Sequence, residues 1–279
     1  MELVEQFEAA RPRLMSLAFR IVGSRHDAED AVQTAWVRAQ TTDLTEVANA
    51  DAWFTTVTAR LCLDQIRSRR RRGEIPLDIE DVPDGRLSAD EAFLHREEVS
   101  RALLVLLREL SPRQRVAYVL HDLFRVPFDE VAAVLDTNPG SAKKLASRAR
   151  GRLRGAQEVS DGNAEHFEIV EAFLAAARGG DIARLVTLMA PDAVRTADPR
   201  LLPTDAPTTV QGAAAVAAET TRFVDRIAAA VPVFVDGQPG AVIAPGGHPA
   251  ALVRFTIDAG LVAGVDITPY VRGVLTLPH

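Results

Sequence analysis

Across 279 residues there is one cysteine, Cys62. A single thiol excludes an internal disulfide framework and a cysteine-rich zinc site. A reducing, cytoplasmic setting is therefore expected. Long apolar runs are missing as well. The best, Ile227 to Val235, is short and is interrupted by Pro232, so it cannot cross a bilayer. The opening Met1-Glu2-Leu3-Val4-Glu5 has no basic stretch ahead of an apolar one. No secretory signal and no membrane partner are expected. The six histidines (26, 95, 121, 166, 248 and 279) show no metal-ligand spacing, so neither a metal nor a cofactor is expected. What is present is 47% hydrophobic residues, a globular content that rules out a wholly disordered chain. The length fits about two domains.

The net charge of −6 argues at first against nucleic acid, but it hides a segregation. Residues 1–72 carry 11 basic and 10 acidic side chains, and residues 73–98 carry 2 and 9. Residues 99–156 carry 11 and 5, and residues 157–279 carry 8 and 14. Such asymmetry points to modules with different partners. Two basic clusters stand out. One is Arg67 with Arg69 to Arg72; the other is Lys143, Lys144, Arg148, Arg150, Arg152 and Arg154.

Residues 1–72 read as helices. Ser24 and Asp27 fit a capping box, followed by Ala28, Ala31, Val32, Ala35 and Trp36 at helical spacing. Asp51 can cap a helix running to about Arg69, with Phe54, Val57, Leu61 and Cys62 on one face. Phe54 is read as core. Residues 73–98, with Pro76, Pro83, Gly73 and Gly85 among acids, read as an extended acidic linker without a core of its own.

Residues 99–156 are helical again. Ser111-Pro112-Arg113-Gln114 is a helix start. A short helix, Phe128 to Leu135, a break at Asp136-Thr137-Asn138-Pro139-Gly140 and a basic helix from about Ser141 to Arg154 match a helix-turn-helix. The start of such a recognition helix reaches base edges, and later cations hold phosphates. Ser141, Lys143, Lys144, Ser147 and Arg148 are therefore the candidate DNA contacts. From about residue 158 two helices precede several β-rich runs, Ala193–Ala197, Val231–Val235, Ala241–Ala244, Ala250–Ile257 and Leu261–Ile267. A helix, Ala213 to Ala229, interrupts them. A separate α+β domain follows from that order.

These residues resemble a known family. His26 to Gln33 looks like the part of bacterial sigma factors that docks on core RNA polymerase. Ala52-Trp53-Phe54 through Asp64-Gln65-Ile66-Arg67 resembles the helix that reads and melts the −10 promoter element. Phe128 to Leu135 with Lys144 to Arg150 resembles the helix-turn-helix that reads the −35 element. The ordered set is the layout of extracytoplasmic-function sigma factors. Arg178-Gly179-Gly180-Asp181 with Ala190-Pro191-Asp192-Ala193 resembles the SnoaL-like, cone-shaped NTF2-type domain that a subgroup carries as a C-terminal extension. Three segments depart from that subgroup's pattern: Ile75 to Asp78, Asp198 to Leu201 and Thr268 to Arg272.

The resemblance implies two all-α sigma domains, the second a helix-turn-helix, plus a C-terminal α+β SnoaL-like domain. The expected boundaries are 1–72, a linker at 73–98, then 99–156 and 157–279. It assigns Asp27, Asp30 and Gln33 to core polymerase. It assigns Arg60, Asp64 and Arg67 to the promoter strand and its phosphates, with the loop Thr41 to Ala50 able to hold a flipped base. The partners implied are core RNA polymerase, promoter DNA, the chain's own C-terminal domain in cis and a small-molecule ligand of that domain. The chain is not expected to be an enzyme. Two alternatives stay open on residues alone. One is a helix-turn-helix regulator with a ligand-sensing tail. The other is an enzyme using Asp198, Asp236, Asp266 or His248 of the SnoaL-like domain.

Overall fold

A computed structural model describes residues 2–42, 49–71, 84–96, 100–154 and 161–276. The chain falls into two compact units, Met1–Leu153 and Arg154–His279. The loop that was expected to hold a base lies mostly outside the described residues, as does the first half of the acidic linker.

The first unit is helical. Its opening three helices are α1 (Glu2–Val22), α2 (Arg25–Thr41) and α3 (Ala50–Arg71). Ser24 caps α2 and accepts the Asp27 N–H, as the sequence predicts. The cap of α3 is a correction: Asn49, not Asp51, accepts the Ala52 N–H at 3.1 Å, while Asp51 pairs with Arg13. Phe54 is fully buried and packs 5.3 Å from Phe7, so it is core. Cys62 is buried too. Desolvation first, and the nearby Asp27 carboxylate second, push its thiol pKa well above the ordinary range.

The linker corrects a second expectation. Its latter half is a helix, α4 (Asp84–Arg96), with Phe93 and Leu94 buried and Phe93 4.5 Å from Phe19. Asp90 on the same face is fully buried and accepts the Arg25 N–H at 2.6 Å. An acid at position i, with apolar residues at i+3 and i+4, hides the helical period that a purely apolar stripe would show.

Then come α5 (Arg101–Glu109), α6 (Pro112–Tyr118), a π turn (Val119–Leu123), α7 (Phe128–Val134) and α8 (Pro139–Arg154). The capping box of Ser111 and Gln114 is formed in both directions. Asn138 caps α8 by accepting the Ser141 N–H at 2.8 Å, and Pro139 takes the first helical position, where its missing N–H costs nothing.

The second unit has helices first and then a mixed sheet, as the SnoaL-like resemblance implies. α9 (Asp161–Gly179) and α10 (Ile182–Leu188) come first, and Asp181 caps α10 at 2.9 Å from Arg184 N. The strands are β1 (Met189–Ala197), β2 (Thr209–Gln211), β3 (Ala230–Val235), β4 (Gln238–Ile243), β5 (Ala251–Asp258), β6 (Leu261–Pro269) and β7 (Leu275–Thr276). Their order is β2-β1-β6-β5-β4-β3-β7, with β1 and β6 parallel. Asp236-Gly237 and Ala259-Gly260 all have positive φ, which suits the tight turns of the β3–β4 and β5–β6 hairpins. The helix expected over 213–229 is broken into α11 (Ala213–Glu219), a 3-10 turn and α12 (Val224–Ala228). Thr220 and Thr221 bend their hydroxyls back to the Ala217 and Ala218 carbonyls, which weakens a continuous helix there. Val170, Phe173 and Leu174 of α9 and Val216 of α11 join Ala193, Ala241, Val253 and Val265 of the sheet in one core.

Candidate nucleic-acid interface

Helix α8 sorts its residues by face. Ala142, Ala146, Ala149 and Leu153 are buried, at the i, i+4, i+7, i+11 spacing of one stripe. The alanines let α8 sit close against its neighbours. Lys143, Lys144, Ser147 and Arg148 are exposed on the other side, and Ser141 is half-buried at the start. Among the described residues no ion pair engages Lys143, Lys144 or Arg148. Arg150 differs: its guanidinium donates to both carboxylate oxygens of Asp122 at 2.8 and 3.1 Å and ties α8 to the π turn. The turn before α8 is closed by Thr137 N–H on the Ala132 carbonyl and by Asp136 at φ +47°.

Helix α3 holds its candidates differently. Arg60 is exposed, but its Nη2 donates to the Ala133 carbonyl of α7 at 2.6 Å and lies 3.7 Å from Asp136. Asp64 and Arg67 lie 3.7 Å apart as an i, i+3 pair. Trp53 is half-buried, edge-on to Phe54 at 5.4 Å. Arg70 and Arg72 of the first basic cluster have no described side chains, and Arg69 turns inward to Asp27 at 2.5 Å.

The residues assigned to polymerase are split. Asp30 and Gln33 are exposed on α2, with Asp30 3.6 Å from His26. Asp27 is buried, and its partner is Arg69 of α3. In the free chain Asp27 therefore holds α2 to α3 instead of facing solvent.

Sequence reasoning missed the residues that join the two helical modules. Arg115 is buried; its Nε donates to the Leu107 carbonyl at 2.7 Å and its Nη1 to the Ile21 carbonyl at 2.9 Å. Arg108 donates to the Gly23 carbonyl at 2.9 Å. Both arginines thus satisfy carbonyls left open at the C-terminus of α1, where the helix dipole also favours a cation. Arg13 and Arg20 of α1 lie over the Phe124 ring at 5.9 and 5.6 Å. The one available signal was an arginine beside the apolar Val116 and Ala117 of a short helix.

In the second unit, Arg195 is buried and forked onto Glu219, and it also donates to the carbonyls of Pro207 and Thr208. This is a satisfied buried ion pair, which fixes geometry more than it adds stability. The acids named for catalysis are held locally. Asp198 accepts from the guanidinium and backbone N–H of Arg200, which hold its pKa at about 2. Asp236 pairs with Arg254 at 2.8 Å, and Asp266 accepts the Thr196 hydroxyl at 2.6 Å. No described bond joins any two of these three acids. Among the described residues no cluster of histidine, cysteine and acids could hold a metal, and no helix is long and apolar enough to cross a membrane.

Comparison with known proteins gives two family matches, sigma-70 region 2 over residues 6–72 and sigma-70 region 4 over residues 100–153. The chain is 43% identical over 202 residues to the ECF RNA polymerase sigma factor SigJ of Mycobacterium tuberculosis, covering 70% of this chain and 64% of that protein. It is 35% identical over 201 residues to a probable ECF sigma factor, SigI, of the same species, covering 70% of this chain and 69% of that one. The crystal structure of the Mycobacterium tuberculosis SigJ is similar at 34% identity, covering 95% of this chain and 96% of that chain, with a TM-score of 0.47.

Proposed function

The chain belongs to the extracytoplasmic-function RNA polymerase sigma factors, and on that premise we propose that it binds core RNA polymerase and directs it to promoters. The observation that carries the reading is the exposed, unpaired basic face of α8 behind a well-formed helix-turn-helix. Lys143, Lys144 and Arg148 are suited to base edges and nearby phosphates, and Ser141 and Ser147 add short polar contacts. Arg60, Asp64 and Arg67 of α3 are suited to the −10 strand. Asp30 and Gln33 offer an exposed surface to the polymerase, giving register more than raw affinity. Asp27 would support that surface from beneath. The chemistry of RNA synthesis belongs to the polymerase, so the chain acts as a non-enzymatic regulator in the cytoplasm with its partner.

The compact helical unit is a resting form. The two promoter elements are separated by about 25 base pairs, or roughly 85 Å at about 3.4 Å per pair. A compact unit of the size of residues 1–153 has a radius of gyration of only about 15 Å. Both elements cannot be reached at once until α3 and α7 part. The C-terminal domain, with 8 basic and 14 acidic residues, is then suited to tune opening in cis, by competing with DNA for the basic helix or by answering a small ligand.

The test is transcription in vitro with core polymerase on promoters selected from random DNA, comparing the full chain with a truncation after Gln157. Specific initiation by either form supports the reading, and a difference between them gives the sign of the tail's effect. Absence of core binding and of initiation in both forms would sink it.

A further inference from the structure

We propose that the cleft between α3 and α6 is a binding site for a diphosphate group, either free or carried by a nucleotide. The cleft has a volume of about 520 Å³ and is lined by Asp64, Arg67 and Arg71 from α3 and by Ser111, Pro112 and Arg113 at the start of α6. That volume is within the range of small-ligand sites, about 300–1,000 Å³.

The charges in the cleft do not balance. Three arginines and one carboxylate line it, and Asp64 is already 3.7 Å from Arg67. Among the described residues neither Arg71 nor Arg113 has an ion pair. Arg113 uses one N–H on the Leu135 carbonyl at 2.9 Å, and a guanidinium has five donors, so most of its fork is free. Ser111 Oγ accepts the Gln114 N–H, which leaves its hydroxyl proton available. Two like charges sharing a cleft repel each other, and an anion between them removes that cost. A guanidinium fork takes one phosphate in a bidentate manner, so two open forks match two linked phosphates.

The consequence, which alone rests on the sigma-factor reading, is regulatory. Arg71 belongs to the −10 helix and Arg113 to the −35 module. A ligand bridging them holds the helical unit in its resting form.

The test is calorimetric titration of the full chain with sodium pyrophosphate at fixed low ionic strength, with inorganic phosphate and sulfate as comparisons. Pyrophosphate should bind one to one, with sulfate and phosphate at least about tenfold weaker, because each occupies one fork. Arg71→Ala and Arg113→Ala should each weaken pyrophosphate about tenfold, as removal of a charge-assisted contact does. Arg184→Ala, on the second unit, should leave that affinity unchanged. Arg113→Lys keeps the charge but loses the fork; a lost affinity at an unchanged melting temperature separates binding from folding. A nucleoside diphosphate that binds more tightly than pyrophosphate assigns the nucleotide as source, and equal or weaker binding assigns the free anion. Equal affinity for sulfate, or no effect of the Arg71 and Arg113 variants, overturns the proposal. No polymerase or DNA is present, so a failure here leaves the sigma reading standing, and failed initiation leaves this one standing.

Discussion

Helices α3 and α8 are both basic and both proposed to meet DNA, yet their candidate contacts, Arg60 and Arg67 on one and Lys143, Lys144 and Arg148 on the other, are held in opposite states. On α8 Lys143, Lys144 and Arg148 stand exposed and outside any described ion pair, above a floor of alanines. On α3 Arg60 is spent on the Ala133 carbonyl and Asp136, and Arg67 on Asp64. A free face can meet phosphates at once, with its charge steering the encounter. An engaged face must first give up its partners. The contrast teaches that the two proposed promoter-reading surfaces need not become available together, and that the one proposed for the −35 element is the more open in the isolated chain.

The heaviest blow to the contrast would fall on α8. Lys144→Ala with Arg148→Ala should weaken promoter affinity about 30-fold or more, since each base contact is worth about 1–3 kcal/mol. Fluorescence anisotropy on a −35 duplex reads this, and core binding should survive. Unchanged affinity would move the readout elsewhere. Next comes the junction that keeps α3 engaged. Arg115→Met strands the Ile21 carbonyl in a buried place, while the Leu107 carbonyl keeps the Leu110 N–H. The expected loss is about 1–3 kcal/mol by urea unfolding, the cost of one unsatisfied buried acceptor.

A smaller effect sharpens the comparison from the α3 side. Asp136→Asn removes the exposed partner of Arg60 and keeps a residue that tolerates positive φ. An exposed ion pair is worth at most about 1 kcal/mol, so binding of a −10 single strand should rise no more than about fivefold. A fall instead would show that Asp136 itself serves DNA. Smallest is Asp198, an exposed pair outside both helices. Its carboxyl, held at about 2 by Arg200, lies below the usual carboxylate value. The stability it adds is present above pH about 4 and is lost as pH falls through about 2. The gap in melting temperature between wild type and Asp198→Asn should be visible at pH 5 and closed near pH 2.

How much of this was legible in the sequence depended on whether local chemistry set the outcome. The α8 face was legible because the turn residues Asp136 to Gly140 and the alanine–lysine pattern are local signals. The caps at Ser24, Ser111 and Asp181 were legible for the same reason. The engaged state of Arg60 was not, because its partners lie more than 70 residues away. Nor was Asp27, whose acid could equally complement a helix dipole or pair with a distant arginine. Strands β2 and β7 are two or three residues long, too short for a period to register.

The Asp90–Arg25 bond carries a consequence for how the chain tolerates change. The helix proposed to meet polymerase begins under a cap supplied from 65 residues downstream, by the connector between the two proposed promoter-reading modules. That connector is thus two things in series. An insertion ahead of Asp90 keeps Asp90 in register with Phe93 and Leu94. An insertion between Asp90 and Phe93 rotates Asp90 about 100° off the face that Phe93 and Leu94 bury and is felt at the start of α2. The start of α2 and the connector, which look like separate parts of the chain, therefore share one helix and one bond.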